Sequence, residues 1–212
     1  MKKLILLLFI PLVSFGQTEE VIKYYKSGAV KFKVNLIDGK KQGEEIQYYE
    51  NGEVKNKFNF VNGKKQGEEI QYYESGAVKF KANLIDGKEQ GEVIEYYESG
   101  AIKRKAYFVN GLLQDEVIGY YESRAVKYKY KLIDGKKQGE EIQYYENGKV
   151  KYKLNFVDDK AQGEVIAYYE SGAIKAKYNY VGSLRQGESI FYNKNGEIEK
   201  IENYKDGVLI KE

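Results

Sequence analysis

Seven tyrosines, Tyr25, Tyr49, Tyr73, Tyr97, Tyr121, Tyr145 and Tyr169, stand 24 residues apart. Seven lysines, Lys33, Lys57, Lys81, Lys105, Lys129, Lys153 and Lys177, keep the same step. A phenol ring is a rigid amphipathic platform that stacks on a sugar or a peptide, and an ammonium attracts phosphate or carboxylate. Copied at a fixed interval, the two suit binding, because several weak contacts to one partner reinforce each other. Catalysis finds little here. The chain has no His, Cys or Trp, which leaves carboxylates, tyrosines and lysines for acid–base work and no legible nucleophile–base pair. Zinc, haem and iron–sulfur clusters lose their usual ligands. We expect no enzymatic activity, no metal and no cofactor.

The elements that hold these columns are written in the repeat. Tyr-Tyr followed by Glu-(Ser/Asn)-Gly recurs from Tyr24, where Lys26 stands in place of the glutamate, through Tyr168, with an eroded copy at Tyr192. Gly28, Gly52, Gly76, Gly100, Gly148, Gly172 and Gly196 obey the step, and Arg124 fills the missing slot. A period in this range signals a repeat architecture whose units pack on their neighbours. In the unit from Gly43 to Gln66, Ile46 and Tyr48 alternate with Gln47 and Tyr49. Val54, Asn56, Phe58 and Phe60 alternate with Lys55, Lys57, Asn59 and Val61. Period-two alternation reads as two half-buried strands.

A two-residue Asn51-Gly52 loop would set Tyr49 against Val54 and Ile46 against Lys57. A three-residue loop, Glu50 to Gly52, sets Tyr48 against Val54 and Glu44 against Phe58, and Lys57 against Glu45, so the apolar faces agree. That loop is a type I turn plus a bulge, and its last residue must be left-handed, as glycine readily is. The glycine column therefore has a structural reason, and Arg124 should cost about 1 kcal/mol there. The second turn carries Asn62-Gly63 and copies such as Asp38-Gly39 and Asp86-Gly87, strong turn formers with too few carboxylates for calcium.

The expected fold is all-β: one elongated antiparallel meander of eight hairpins, about 75 Å long. The Ile22–Ile190 column, the first tyrosine of each pair, the Val30–Ile198 column and the Leu36/Phe60 column are expected on the apolar face. The second tyrosine and both lysine columns (Lys31 to Lys175 and Lys33 to Lys177) are expected opposite. A plain solubilising role, with Lys–Glu pairs and lysine stems over tyrosine rings, competes there with a binding stripe. Asn56, Arg104 and Lys200 interrupt an otherwise mostly apolar column, and Asp115 and Arg124 disturb the fifth repeat.

The pattern Gly-Glu-x-x-x-Tyr-Tyr-x-x-Gly-x-x-Lys, followed by an Asp-Gly-Lys-x-x-Gly turn, resembles the MORN-repeat variant family, including YwqK-type antitoxin-like proteins, over about residues 19–212. The resemblance implies an elongated hairpin array used for protein or lipid contact. It implies no catalytic residue, and an antitoxin role would rest on the resemblance alone.

The first residues bound location. Met1-Lys2-Lys3, the apolar run Leu4–Val13 and the small residue Gly16 read as a signal peptide over residues 1–16, leaving an array over 17–212. No Cys follows for lipid attachment, so the protein is expected to be periplasmic or secreted and not a lipoprotein. Cleavage leaves 33 basic and 32 acidic residues, a net charge of +1, which gives no general pull toward nucleic acid. The expected partner is a protein or glycan of the cell envelope. An anionic membrane surface bound through lysines is the competing partner, and a bare sheet face also suits a homodimer.

Overall fold

The computed structural model describes residues 17–210, so the signal-peptide reading lies outside the described residues. Those residues form a single antiparallel sheet of twenty strands, with no helix. The chain meanders: each full-length strand pairs with the full-length strand before and after it. Representative strands are Lys40–Tyr48, Val54–Val61 and Gly67–Tyr72, with two-residue pieces such as Lys64–Lys65 entering the longer ones.

Two kinds of turn alternate. At one long edge Gly52 (φ 91) closes the loop, its N–H bonding the Tyr49 carbonyl at 3.0 Å while the Tyr49 N–H bonds Glu53 at 2.8 Å. This is the three-residue loop with a left-handed final residue. Arg124 adopts the same conformation (φ 73) and keeps the bond to Tyr121 at 2.9 Å, so the repeat tolerates the strain without changing its turn. At the other edge Asn62 (φ 52) and Gly63 (φ 82) form a two-residue turn that pairs Val61 with Lys64. Both central residues have positive φ, as a type I′ turn requires.

The register departs from expectation two residues past the first loop. Tyr48 faces Val54, but Gln47 then faces Asn56, Ile46 faces Lys57 and Glu45 faces Phe58. A bulge at Lys55 inserts one residue and shifts all later pairs by one. Because strand side chains alternate, a one-residue slip exchanges the faces. Phe58 and Phe60 therefore do not join Ile46 and Tyr48. They share the opposite face with Glu45 and Tyr49, and Lys57 moves to the face of Ile46.

The core sits on the Phe58 face. Its most buried column is Glu45, Glu69, Val93, Val117, Glu141, Val165 and Ser189, all 7% exposed or less. Val34, Ala82 and Ala106 pack beside it on the neighbouring strands. Where the column carries glutamate, a lysine four residues earlier and a glutamine two residues later satisfy it. Lys65 Nζ lies 3.1 Å from Glu69 and Gln71 Nε2 bonds the same carboxylate at 2.8 Å. Lys41 with Glu45, and Lys137 with Glu141, repeat the arrangement. The ammoniums also sit over rings, Lys65 at 3.5 Å from the Phe58 centroid.

Both edges are tied from repeat to repeat. On the two-residue-turn edge, Gln42 accepts from the Asn62 N–H at 2.9 Å, and Gln66, Gln90, Gln114, Gln162 and Gln186 do the same one repeat on.

The fifth repeat keeps the common register: Asp115 faces Leu132 and Tyr120 faces Val126, as Gly43 faces Phe60 and Tyr48 faces Val54. Asp115 takes the left-handed conformation (φ 59) of the glycine it replaces. The pairing carries no bend there. Val117 is fully buried and clusters with Ala106, Leu132 and Tyr128. Gly119 makes this possible, since a Cβ there would stand 2.3 Å from the Tyr128 ring.

Candidate binding face

The two tyrosines of each pair point to opposite faces, and their hydroxyls have different fates. The second one builds a ladder. Tyr25, Tyr49, Tyr73, Tyr97, Tyr121, Tyr145 and Tyr169 each donate to the main-chain carbonyl of the first tyrosine one repeat on, at 2.7–2.8 Å. The Lys55 bulge explains the need. Pairing with the next hairpin stops at Asn56–Gln71, and the Tyr72 carbonyl just past it takes the Tyr49 hydroxyl instead. Each ring is half-buried. Burial, reinforced by the next loop's carboxylate, raises the phenol pKa of Tyr49 (Glu74), Tyr73 (Glu98), Tyr121 (Glu146) and Tyr145 (Glu170).

The expected stripe is therefore divided. The lysines over these rings are Lys31, Lys55, Lys79, Lys103, Lys127, Lys151 and Lys175, at 5.3–5.9 Å from the ring centroids. Lys33, Lys57, Lys81, Lys105, Lys129, Lys153 and Lys177 are on the other face, beside the isoleucine column. The second tyrosines and this lysine column cannot meet one ligand from the same side.

The Lys57 column meets the first tyrosine instead. Among the described residues, the first-column hydroxyls make no bond comparable to the ladder. Their rings line shallow grooves at the boundaries between hairpins. One groove has Ile102, Lys105, Tyr120 and Arg124. The next has Ile118, Val126, Lys129 and Tyr144, and the next Val150, Lys153 and Tyr168. Their volumes are 440–480 Å³. An exposed glutamate column, Glu20 through Glu188, runs alongside. It pairs with the lysines at Lys105–Glu92 (3.3 Å) and Lys153–Glu140 (3.4 Å).

The interrupting residues of the mostly apolar column lie on the core face. Asn56 donates to Gln47 at 2.8 Å, and Arg104 binds Glu95 at 2.5 Å. Lys200 pairs with Glu202, whose carboxyl is held below its usual range by that lysine and by the Tyr204 hydroxyl. Each is committed to a neighbour. Sequence reasoning missed the first tyrosines as surface residues. A signal was available: positions 41, 45 and 47 of the unit change together from copy to copy, as packed neighbours do, while Ile46 and Lys57 stay constant.

Comparison with known proteins agrees with this architecture. The family model described as MORN repeat variant matches residues 41–62, 65–86, 89–110, 137–158, 161–181 and 185–206. The chain belongs to the MORN repeat variant family. This MORN array is thus a repeat scaffold, and its unmatched internal copy, 113–134, is the one holding Asp115, Gly119 and Arg124. No curated protein matches it. Among solved structures, a porin-like protein from Bacteroides uniformis ATCC 8492 aligns over 92% of this chain and 93% of its own, at 7% identity and TM-score 0.21. The complex TcdB2-TccC3-Cdc42 aligns over 87% of this chain and 14% of the matched chain, at 9% identity and TM-score 0.18. Neither likeness is close enough to guide an argument about function.

Proposed function

We propose that this MORN array is an exported, non-enzymatic scaffold that holds an extended protein or glycan of the cell envelope along its Tyr/Lys face. One observation carries the reading: an aromatic ring with an uncommitted hydroxyl and a lysine line the same groove at successive hairpins. Similar shallow sites in series reach useful affinity through effective concentration. The charge pairing along this face weighs against lysine-driven attachment to anionic lipid, because neighbouring glutamates cancel much of the field beyond a Debye length.

The test is a pull-down from envelope fractions, scored for both protein and carbohydrate. Replacing Tyr96, Tyr120 and Tyr144 together by alanine is expected to abolish capture. The matching triple change at Lys79, Lys103 and Lys127, on the core face, is expected to leave it intact. Equal capture by all three proteins would remove this face as the binding surface.

A further inference from the structure

Eight internal copies of one unit allow constraint to be read within a single chain. On the core face the buried columns beneath the rings have drifted freely, and the two that persist in seven copies, the second tyrosine and the lysine over its ring, have a structural reason in the hydroxyl ladder. The column paired with Glu45 runs Val34, Phe58, Ala82, Ala106, Tyr130, Leu154, Tyr178, Glu202. On the opposite face four columns barely change, with no such ladder to hold them. Glutamate from Glu20 to Glu188, isoleucine from Ile22 to Ile190 and the first tyrosine from Tyr24 to Tyr192 are present in all eight copies, and the lysine in seven. Packing normally restrains buried positions more than exposed ones, so packing alone does not account for an exposed glutamate held in every copy. The time available for drift is the same on both faces. Whatever holds this face constant demands the same chemistry at every step.

We propose that the grooves hold a linear polysaccharide built from one repeating unit, uncharged overall, with successive stretches of the glycan in successive grooves. The proposal rests on the preceding reading of this face and names its ligand. Sites built from the same tyrosine and lysine columns about 10 Å apart, two strand spacings, match a polymer whose own chemistry recurs, and an ordinary peptide with its varied side chains does not. The sheet's main-chain groups are spent on neighbouring strands, so this face offers a peptide no backbone ladder of the kind used in strand addition. A sugar ring needs an apolar platform with donors and acceptors at its rim. Each groove supplies a valine or isoleucine floor, a tyrosine ring with an uncommitted hydroxyl, a lysine donor and, alongside, a glutamate acceptor. Charge complementarity selects the uncharged polymer. The lysine and glutamate columns nearly balance, so a polyanion would meet as much repulsion as attraction.

Calorimetric titration of the purified protein with chito- and cello-oligosaccharides of rising length tests this, with hyaluronan oligosaccharides and anionic phosphatidylserine vesicles as the charged alternatives. Binding of a neutral series is expected to tighten about tenfold or more as the oligomer grows from one groove to three, and to be unmoved by raised salt. Tyr96→Ala/Tyr120→Ala/Tyr144→Ala is expected to abolish it. The gentler Lys105→Gln/Lys129→Gln/Lys153→Gln, which keeps the packing, is expected to weaken it at least severalfold. No neutral glycan binding, together with capture of an envelope protein through the same tyrosines, would overturn the glycan and spare the broader reading. Salt-sensitive binding to hyaluronan alone would likewise overturn only the uncharged ligand. Salt-sensitive vesicle binding alone, or no capture of any kind, would overturn both.

Discussion

The two faces of this sheet divide the work of the repeat. One buries a column of valine and glutamate that varies from copy to copy, ties a constant second tyrosine from repeat to repeat, and holds the array together. The other keeps isoleucine, tyrosine, lysine and glutamate almost unchanged, half in water, and contributes grooves. The tyrosine pair spans the division. In each Tyr-Tyr, the first residue turns its hydroxyl outward and the second turns its own onto a neighbour's carbonyl. Two residues of one type, adjacent in sequence, acquire opposite roles because strand side chains alternate and only one face has an unpaired carbonyl within reach.

The comparison breaks most easily at Val117. It is fully buried, and Val117→Asp should cost about 3–5 kcal/mol, as an unpaired buried charge does. A urea midpoint within error of the parent would mean that the core is not on this face.

Glu141 sharpens it next. The fifth repeat solves the same position with Leu113 and Val117 where the sixth uses Lys137 and Glu141. Glu141→Val alone strands the half-buried Lys137 and should lose about 1–2 kcal/mol. Adding Lys137→Leu should recover most of it, since well-packed apolar residues replace buried ion pairs at little cost. A double-mutant cycle with no coupling would show that the two residues do not form a unit.

Smaller still is the difference between the tyrosines themselves. Tyr97→Phe removes the bond to the Tyr120 carbonyl and should cost about 1 kcal/mol. Tyr96→Phe should stay within about 0.5 kcal/mol of the parent. Equal losses in paired denaturation curves would erase the distinction between the columns.

The faces also differ in their response to alkali. Tyr152, on the core face, has its phenol pushed up to about 12, first by burial and then by Glu141. The folded state holds this proton more tightly than the unfolded chain, whose value is about 10. Its contribution to stability is therefore complete below about pH 10 and is lost as pH rises through about 12. Tyr152→Phe should flatten the alkaline fall, and an unchanged pH profile would place that fall elsewhere.

Much of this was legible in the residues. Gly52 and its copies announced a three-residue loop, Asn62-Gly63 announced the tight turn, and the strands between them alternate as strands must. Arg124 sits in a loop slot and Asp115 in a bulge slot, both left-handed, so the disturbed copy keeps the common backbone. The placement of the site was not legible. Reading period two straight through Lys55 carried Phe58 and Phe60 to the wrong face and paired the outward lysines with the wrong tyrosines.

The sequence by itself determined the period, the hairpins, the turn chemistry and the family, because these depend on local backbone preferences repeated eight times. Only the tertiary structure decided which tyrosine is committed and which is free. A bulge costs one residue of register, and whether it forms depends on how two strands and the next hairpin share their hydrogen bonds. That is settled across the sheet, between residues 23 positions apart, where no local pattern can report it.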